Sequence, residues 1–454
     1  KPGPTAPSEG VQPPDPVRNL NVNPESGRPK QAAIDTGELG ETAMPTPTSW
    51  EGISNVQGVY PPDTNADVSP NYVVQMVNSS FQVFSKGGTS LLGPLPANAP
   101  WASESGPCKT SLDGDVIVKY DDRADRWMVS QLANAHSATG PYYECIAVST
   151  SGDPMGSYNL WTLDFGTALP DYPKFGIFGD SYWMTANLFT NASTYAGATI
   201  CIMKRADLLA GAPLTYACTD PMADQFSLIP ADVDGATQPP GASYGGYFMS
   251  ESAQYYNSLT MYRSTVDWST GQAYMNGPIS IPVNAFTSAC ANAGTKLCIP
   301  QPGTSQRLDA LGFHAMYRLA YRNFGDHESL VFNHTVATDG NPNFTTQTGL
   351  GWYEIRTPST TPTVYQDGIS ADSSASTYRW MGSMAQDGQG NMALGYSSSN
   401  ATSKFPSIEV VGRLAGDTLS TMPQTATTIQ AGGGYQFGTS GRWGDYSSMA
   451  VDPV

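Results

Sequence analysis

Three short β-type runs, DVIVKYD, RWMVSQL and YYECIAVSTS, follow one another across residues 115–151, separated by turn residues, and then the set starts again. KFGIFGD, YWMTANLF and ATICIMKR repeat it at 174–205, and RWMGSMAQD, NMALGYSSS and SIEVVGRLAGD at 379–417. Helical periodicity is almost absent between these runs. Candidate first strands begin near Asp67, Asp115, Lys174, Asp232, Arg307, Arg379 and Arg442, at steps of 48, 59, 58, 75, 72 and 63 residues. Serial antiparallel units of three or four strands at this spacing match a β-propeller, whereas a sandwich does not repeat one unit in register seven times. The expectation is an all-β, seven-bladed propeller, with six blades as the alternative if Asp67 only starts a clasp.

The last unit supplies one strand, RWGDYSSMAVDPV, and a propeller whose last blade holds one strand leaves an open edge. Two completions follow: the N-terminal leader fills the blade, or a separate C-terminal polypeptide does. Residues 1–60 are rich in Pro, Gly and polar residues without sustained period 2 or 3.6, so they are read as an extended leader wrapping on the main domain, residues 61–454.

Acidic residues number 39 against 22 Lys and Arg, a formal charge of −17, which repels a phosphate backbone and argues against nucleic acid as a partner. No run approaches the ~20 apolar residues of a membrane span, and KPGPTAPSEGVQPPDP lacks a signal-peptide centre, so any signal has been removed. The six cysteines form no CxxC and no zinc spacing; short loops favour pairing Cys108 with Cys145, Cys201 with Cys218, and Cys290 with Cys298. Disulfides place the chain outside the cell.

PPDTNADVSPNYVVQMVNSSFQVF, YDDRADRWMVSQ, CIAVSTSGDPMGSY, CIPQPGTSQRLDALGFHAMYRLAYRNFGDHESLVFNH, YRWMGSMAQDGQGNMALGYS and SGRWGDYSSMAVDPV resemble a family of secreted bacterial β-propeller proteins without an established activity. The resemblance spans residues ~55–454 and implies further strands beyond the position of Val454, which favours the separate piece.

Four cations stand at blade starts: Lys174, Arg307, Arg379 and Arg442. Equivalent positions in successive blades surround one axis, so these would converge at a channel mouth and suit a carboxylate or sulfate. Asp171, Asp309 and Asp445 flank them, and Tyr172, Trp380, Trp443 and Tyr446 offer stacking surfaces. The structural alternative is that each Arg pairs with an acid of the next blade, and each Trp packs between sheets. Asp63, Asn65 and Asp67 follow the D-x-N-x-D spacing of a calcium loop, but Val68 stands where Gly would follow and no Glu closes the loop. His327 and His334 lie seven apart, on opposite faces of a strand, which excludes their sharing one metal. The sequence contains no P-loop or sialidase-type box. The leading functional reading is therefore an extracellular binding or scaffold protein engaging acidic polysaccharide or another protein. The competing reading is a glycoside hydrolase or polysaccharide lyase using Asp171, Asp309 or Asp445 as acid and base.

Overall fold

A computed structural model describes residues 43–453 apart from 241–244, 252–255, 291–295, 340–346, 357 and 439–440. The chain is an all-β propeller-like ring; among the described residues, α-helix is confined to Pro107–Thr110 and Arg205–Ala210. Four sheets are four-stranded antiparallel meanders, each taken in chain order: residues 65–96, 117–164, 168–218 and 378–430. An eight-stranded sheet joins two further meanders, 229–282 and 315–370, through parallel pairing of their inner strands, Ala231 with Leu319 through Asp234 with Arg322. Sheets are numbered one to six below in chain order, the joined halves being four and five.

The inner strands are Asn65–Val68, Ile117–Asp121, Ala168–Phe178, Ile229–Asp234, Ala315–Asn323 and Tyr378–Gln386. Each packs on the next, from sheet one round to sheet six. A ring of sheets packed face to face buries both faces of a strand, which is why RWMVSQLA shows seven buried positions in a row, where a half-exposed sheet would alternate. At Gly176 a Cβ would lie 2.3 Å from the carbonyl oxygen of Ala231, so the first glycine of KFGIFGD is a spacing requirement between sheets three and four. Successive sheets share apolar layers. Val74, Met76 and Val83 of sheet one meet Val118, Trp127 and Val129 of sheet two. Ala320, Val331 and Trp352 of sheet five meet Met384, Leu394 and Val411 of sheet six.

All three expected disulfides are present: Cys108–Cys145, Cys201–Cys218 and Cys290–Cys298. Seven complete units are not found among the described residues. Arg307, expected to open an inner strand, lies instead on a two-stranded ribbon, Leu297–Ile299 with Leu308–Asp309, and the inner strand begins later, at Ala315. Leu311, at φ 50°, turns the chain between ribbon and strand. Residues 442–452 carry no sheet partner and run between sheets six and one. Much of the 1–60 leader lies outside the described residues. Its described part runs from sheet six, where Met44 donates its amide to Gln424 and lies against Gly412, to sheet one, where Ile53 donates its amide to Gln75 and Trp50 covers Gly88.

Candidate functional site

Side chains of one inner strand hold backbone amides of a neighbouring inner strand. Asn65 accepts from the amide of Val118 at 2.7 Å and Asp67 from that of Tyr120 at 2.9 Å. Asp115 accepts from Tyr172 at 3.1 Å, and Asp232 from Ile177 at 2.9 Å. The same lacing captures the lone segment: Asp63 accepts from the amide of Asp445 at 2.9 Å and Ser383 from that of Met449 at 2.8 Å. Asn65 and Asp67 on the strand, and Asp63 just before it at φ 44°, thus direct their oxygens to separate partners, and no group of three or more His, Cys, Asp or Glu able to hold a metal occurs among the described residues.

Two charged clusters form around the axis. At the end where inner strands begin, Lys174 is fully buried, its ammonium 3.6 Å from the ring centroids of both Tyr172 and Tyr446, and it donates to the carbonyl of Pro173 at 2.9 Å. Both phenols are fixed, Tyr172 donating to Ala315 at 3.2 Å and Tyr446 to Val116 at 2.9 Å. Burial lowers the Lys174 ammonium to about 7, against the pull of Asp115 and Asp63. Burial, reinforced by the charge of Asp115, pushes Asp63 up to about 7. Glu144 is raised well above the usual carboxylate range by burial, which the Ser130 hydroxyl and the charge of Lys174 only partly oppose. His314 is held well below its ordinary value by burial and by the cations Lys296, Arg442 and Lys174.

At the opposite end a cavity of about 210 Å³ is lined by Asp67, Lys119, Asp232, Arg318, Arg322 and Asp387, among others. Lys119 bridges Asp67 at 2.9 Å and Asp232 at 2.5 Å. Arg318 donates to Asp232 at 2.5 Å and grips both oxygens of Asp234. Burial opposes ionisation of Asp232, yet Lys119 and Arg318 outweigh it and hold the acid below its usual range. For Asp234 burial wins over Arg318, and the carboxyl is raised.

Of the four cations read as a ring, two reach the first mouth. Lys174 lies beneath it, and Arg442 pairs with Asp445 there. Arg379 donates to Ser370 at 2.8 Å and stacks 4.8 Å from the ring of Tyr396, within its own sheet and the one before it. Arg307 donates to the Cys298 carbonyl at 2.6 Å on the ribbon. Asp171 lies half-buried near Lys174, and Asp309 accepts from Leu311 and joins Gly441 through its own amide. Trp380 is buried in an apolar layer, and Trp443 stands beside it, donating to Ser397 at 3.0 Å. His334 is buried between Glu251 and the hydroxyl of Tyr353, each 2.9 Å away. Sequence reasoning missed Lys119, Glu144, Asp232 and Arg318. One signal was present, an Asp recurring at inner strands as Asp67, Asp121 and Asp232.

A third feature is apolar. Between sheets six and one lies a groove of about 940 Å³, floored by Trp443, Tyr446 and Met449 and walled by Ala393, Gly395 and Val410. The opposite side of sheet six, with Met392, Leu394 and Val411, packs into the core against sheet five, and residues 43–47 of the chain line the groove as well, Met44 lying against Gly412 and donating its amide to Gln424. Ile408, on the same wall, is 49% exposed.

No family model matches the chain, and no curated protein does. Solved structures give remote matches. An exo-β-1,3-galactanase from Clostridium thermocellum matches at 10% identity and TM-score 0.34, over 77% of this chain and 75% of that one. A subtype N10 neuraminidase-like protein from a little yellow-shouldered bat isolate matches at 8% identity and TM-score 0.36, over 77% and 93%. An endo-arabinase from Bacteroides thetaiotaomicron matches at 13% identity and TM-score 0.29, over 67% and 96%.

Proposed function

We propose that this chain is an extracellular β-propeller acting as a binding or scaffold module, and that its partner is a polypeptide received in the groove between sheets six and one. The apolar wall of Ala393, Gly395, Ile408 and Val410, which the chain's own residues 43–47 cover only in part, carries this reading, since contiguous apolar surface rimmed by polar residues marks an interaction site. An acidic polysaccharide fits less well. It needs accessible cations, and Lys174 is enclosed by two phenol rings while Arg379 is spent on Ser370 and Tyr396. The three disulfides suit an oxidising compartment.

The test is to titrate the chain by calorimetry with a panel of acidic and neutral polysaccharides, and in parallel with peptides selected from a displayed random library. Peptide binding that survives 0.5 M salt, on the order of three or more times physiological ionic strength, and is lost on filling the groove supports the reading; saturable polysaccharide binding alone rejects it. A second reading, hydrolase or lyase, draws on the raised carboxyls Asp63 and Asp309 near one mouth. New reducing ends or unsaturated products in the same panel would establish it.

A further inference from the structure

Residues 43–53 pass from sheet six to sheet one without joining either sheet. Pro45 and Pro47 have no amide to give a ladder, so side chains and not strand pairing hold this stretch. Its fastenings lie at the two ends. On sheet six, Met44 donates its amide to Oε1 of Gln424 at 3.2 Å, and that side chain is itself fixed by a bond from Nε2 to Asp417 at 2.9 Å. The Met44 thioether fills the space over Gly412, where a Cβ would lie 2.8 Å from its methyl carbon, so that glycine is a seat for one unbranched side chain. On sheet one, Ile53 donates to Gln75 at 2.8 Å and Trp50 lies over Gly88. Residues 45–50 between these points are exposed throughout, and Met44 is half-buried. Residues 43–47, Gln424 and Gln75 all line the groove. The described contacts that hold 43–49 over it are one hydrogen bond and one seated side chain, and a segment with so few buried contacts opens locally at low cost.

We propose that residues 43–49 are a self-masking strap: Met44 occupies in cis the seat in which the polypeptide ligand places its own anchor, and the ligand binds by displacing it, with Trp50 and Ile53 as the hinge. This rests on the polypeptide-binding reading above and adds the ligand's chemistry and its control. The seat selects a methionine-like, unbranched apolar side chain whose own main-chain N–H reaches Gln424, in an extended segment that tolerates proline at the next residue, because that is the chemistry of the strap that fills it. Apparent affinity falls with the fraction of molecules in which the strap is lifted. A strap seated in about nine molecules of ten therefore weakens binding about tenfold.

The experiment pans a displayed random-peptide library on the full chain carrying Met44→Gly, which empties the seat without touching the core, and measures each enriched peptide by calorimetry on the parent, on Met44→Gly and on Met44→Asp. Enriched peptides should carry a methionine ahead of an extended or proline-containing stretch, and should bind both variants at least about tenfold tighter than the parent, ~1.4 kcal/mol. A synthetic peptide of residues 43–49 should compete for Met44→Gly at millimolar concentration, comparable to the effective concentration of a short tether. Bound ligand should speed hydrogen exchange at the amide of Met44 in the parent and leave that of Ile53 as it was. Affinity for either variant no higher than for the parent, failure of the 43–49 peptide to compete, or unchanged exchange at Met44 would overturn masking and leave polypeptide binding intact, the strap then being a fixed wall. Binding absent from the parent and both variants, or insensitive to Ile408→Arg in all three, would remove the polypeptide reading and the masking role with it.

Discussion

Glu144 sits wholly buried, and the Ser130 hydroxyl beside it does not offset that burial, so its ionised form is costly in the folded chain. A carboxyl raised on folding binds more protons folded than unfolded, so stability falls as pH climbs from the unfolded value toward the raised one. Glu144→Gln removes the charge and keeps the shape. Its urea midpoint should exceed that of the parent at pH 8, by on the order of 2 kcal/mol, with the difference shrinking toward pH 4; a variant less stable at pH 8 would show that the carboxylate is needed. Lys174 acts with the opposite sign: lowered to about 7, it contributes stability that rises with pH from about 7 to its unfolded value of 10.5. Arg318 tests the other end of the axis. Arg318→Met strands Asp234 and leaves Asp232 to Lys119 alone, at an expected cost of about 3–5 kcal/mol in urea unfolding. A loss under about 1 kcal/mol would mean the pairs behave as surface ion pairs do.

At the scale of elements, DTNADV shows how local spacing and tertiary role diverge. Its alternate oxygens read as a cation loop; in the structure Asn65 and Asp67 accept from the amides of Val118 and Tyr120, and Asp63, just before the strand, accepts from that of Asp445. The melting temperature should therefore be the same, within about 1 °C, in chelator and in millimolar calcium, since only a ligand selective for the folded state shifts it. A larger rise with calcium would restore the cation reading. The meander of each sheet was legible because strand alternation and turn residues are local, and the disulfide pairs because each closes a short loop. Arg307 was misplaced because a ribbon and a blade start carry the same short apolar signature. Nor did the pattern show the parallel pairing of Ala231 with Leu319, which depends on how closely two sheets approach. Lys119 stands inside DVIVKYD without a local partner; its partner Asp232 comes from two sheets away, beyond the reach of any spacing rule.

For the whole molecule, the seam is the consequence that matters. Sheets four and five are joined by backbone pairing as well as by Arg318, and Arg205 ties sheet three to Asp121 of sheet two through a bidentate pair at 2.6 and 2.8 Å. Between sheets six and one, the described contacts include a lone segment with its side-chain lacing to Asp63, Ala66 and Ser383, the surface pair of Lys86 with Asp452, and the leader, which Met44 ties to Gln424 and Ile53 to Gln75. A ring opens where its closure is weakest, and hydrogen exchange reads such partial openings by their free energies. Native-state exchange should accordingly find that amides of Tyr72–Val77 and Met392–Ser399, on either side of the seam, exchange through an opening cheaper by about 2 kcal/mol or more than that of Ala315–Asn323 and Glu328–Ala337, a gap of this order being well within the range over which local openings spread below global unfolding. Occupation of the groove by a polypeptide should close that gap, because ligand binding restricted to the closed form adds its free energy to the seam alone. Uniform protection around the ring in the free chain would mean that the lacing closes the propeller as firmly as a paired sheet does, and the groove would then be a surface feature with no part in the stability of the ring.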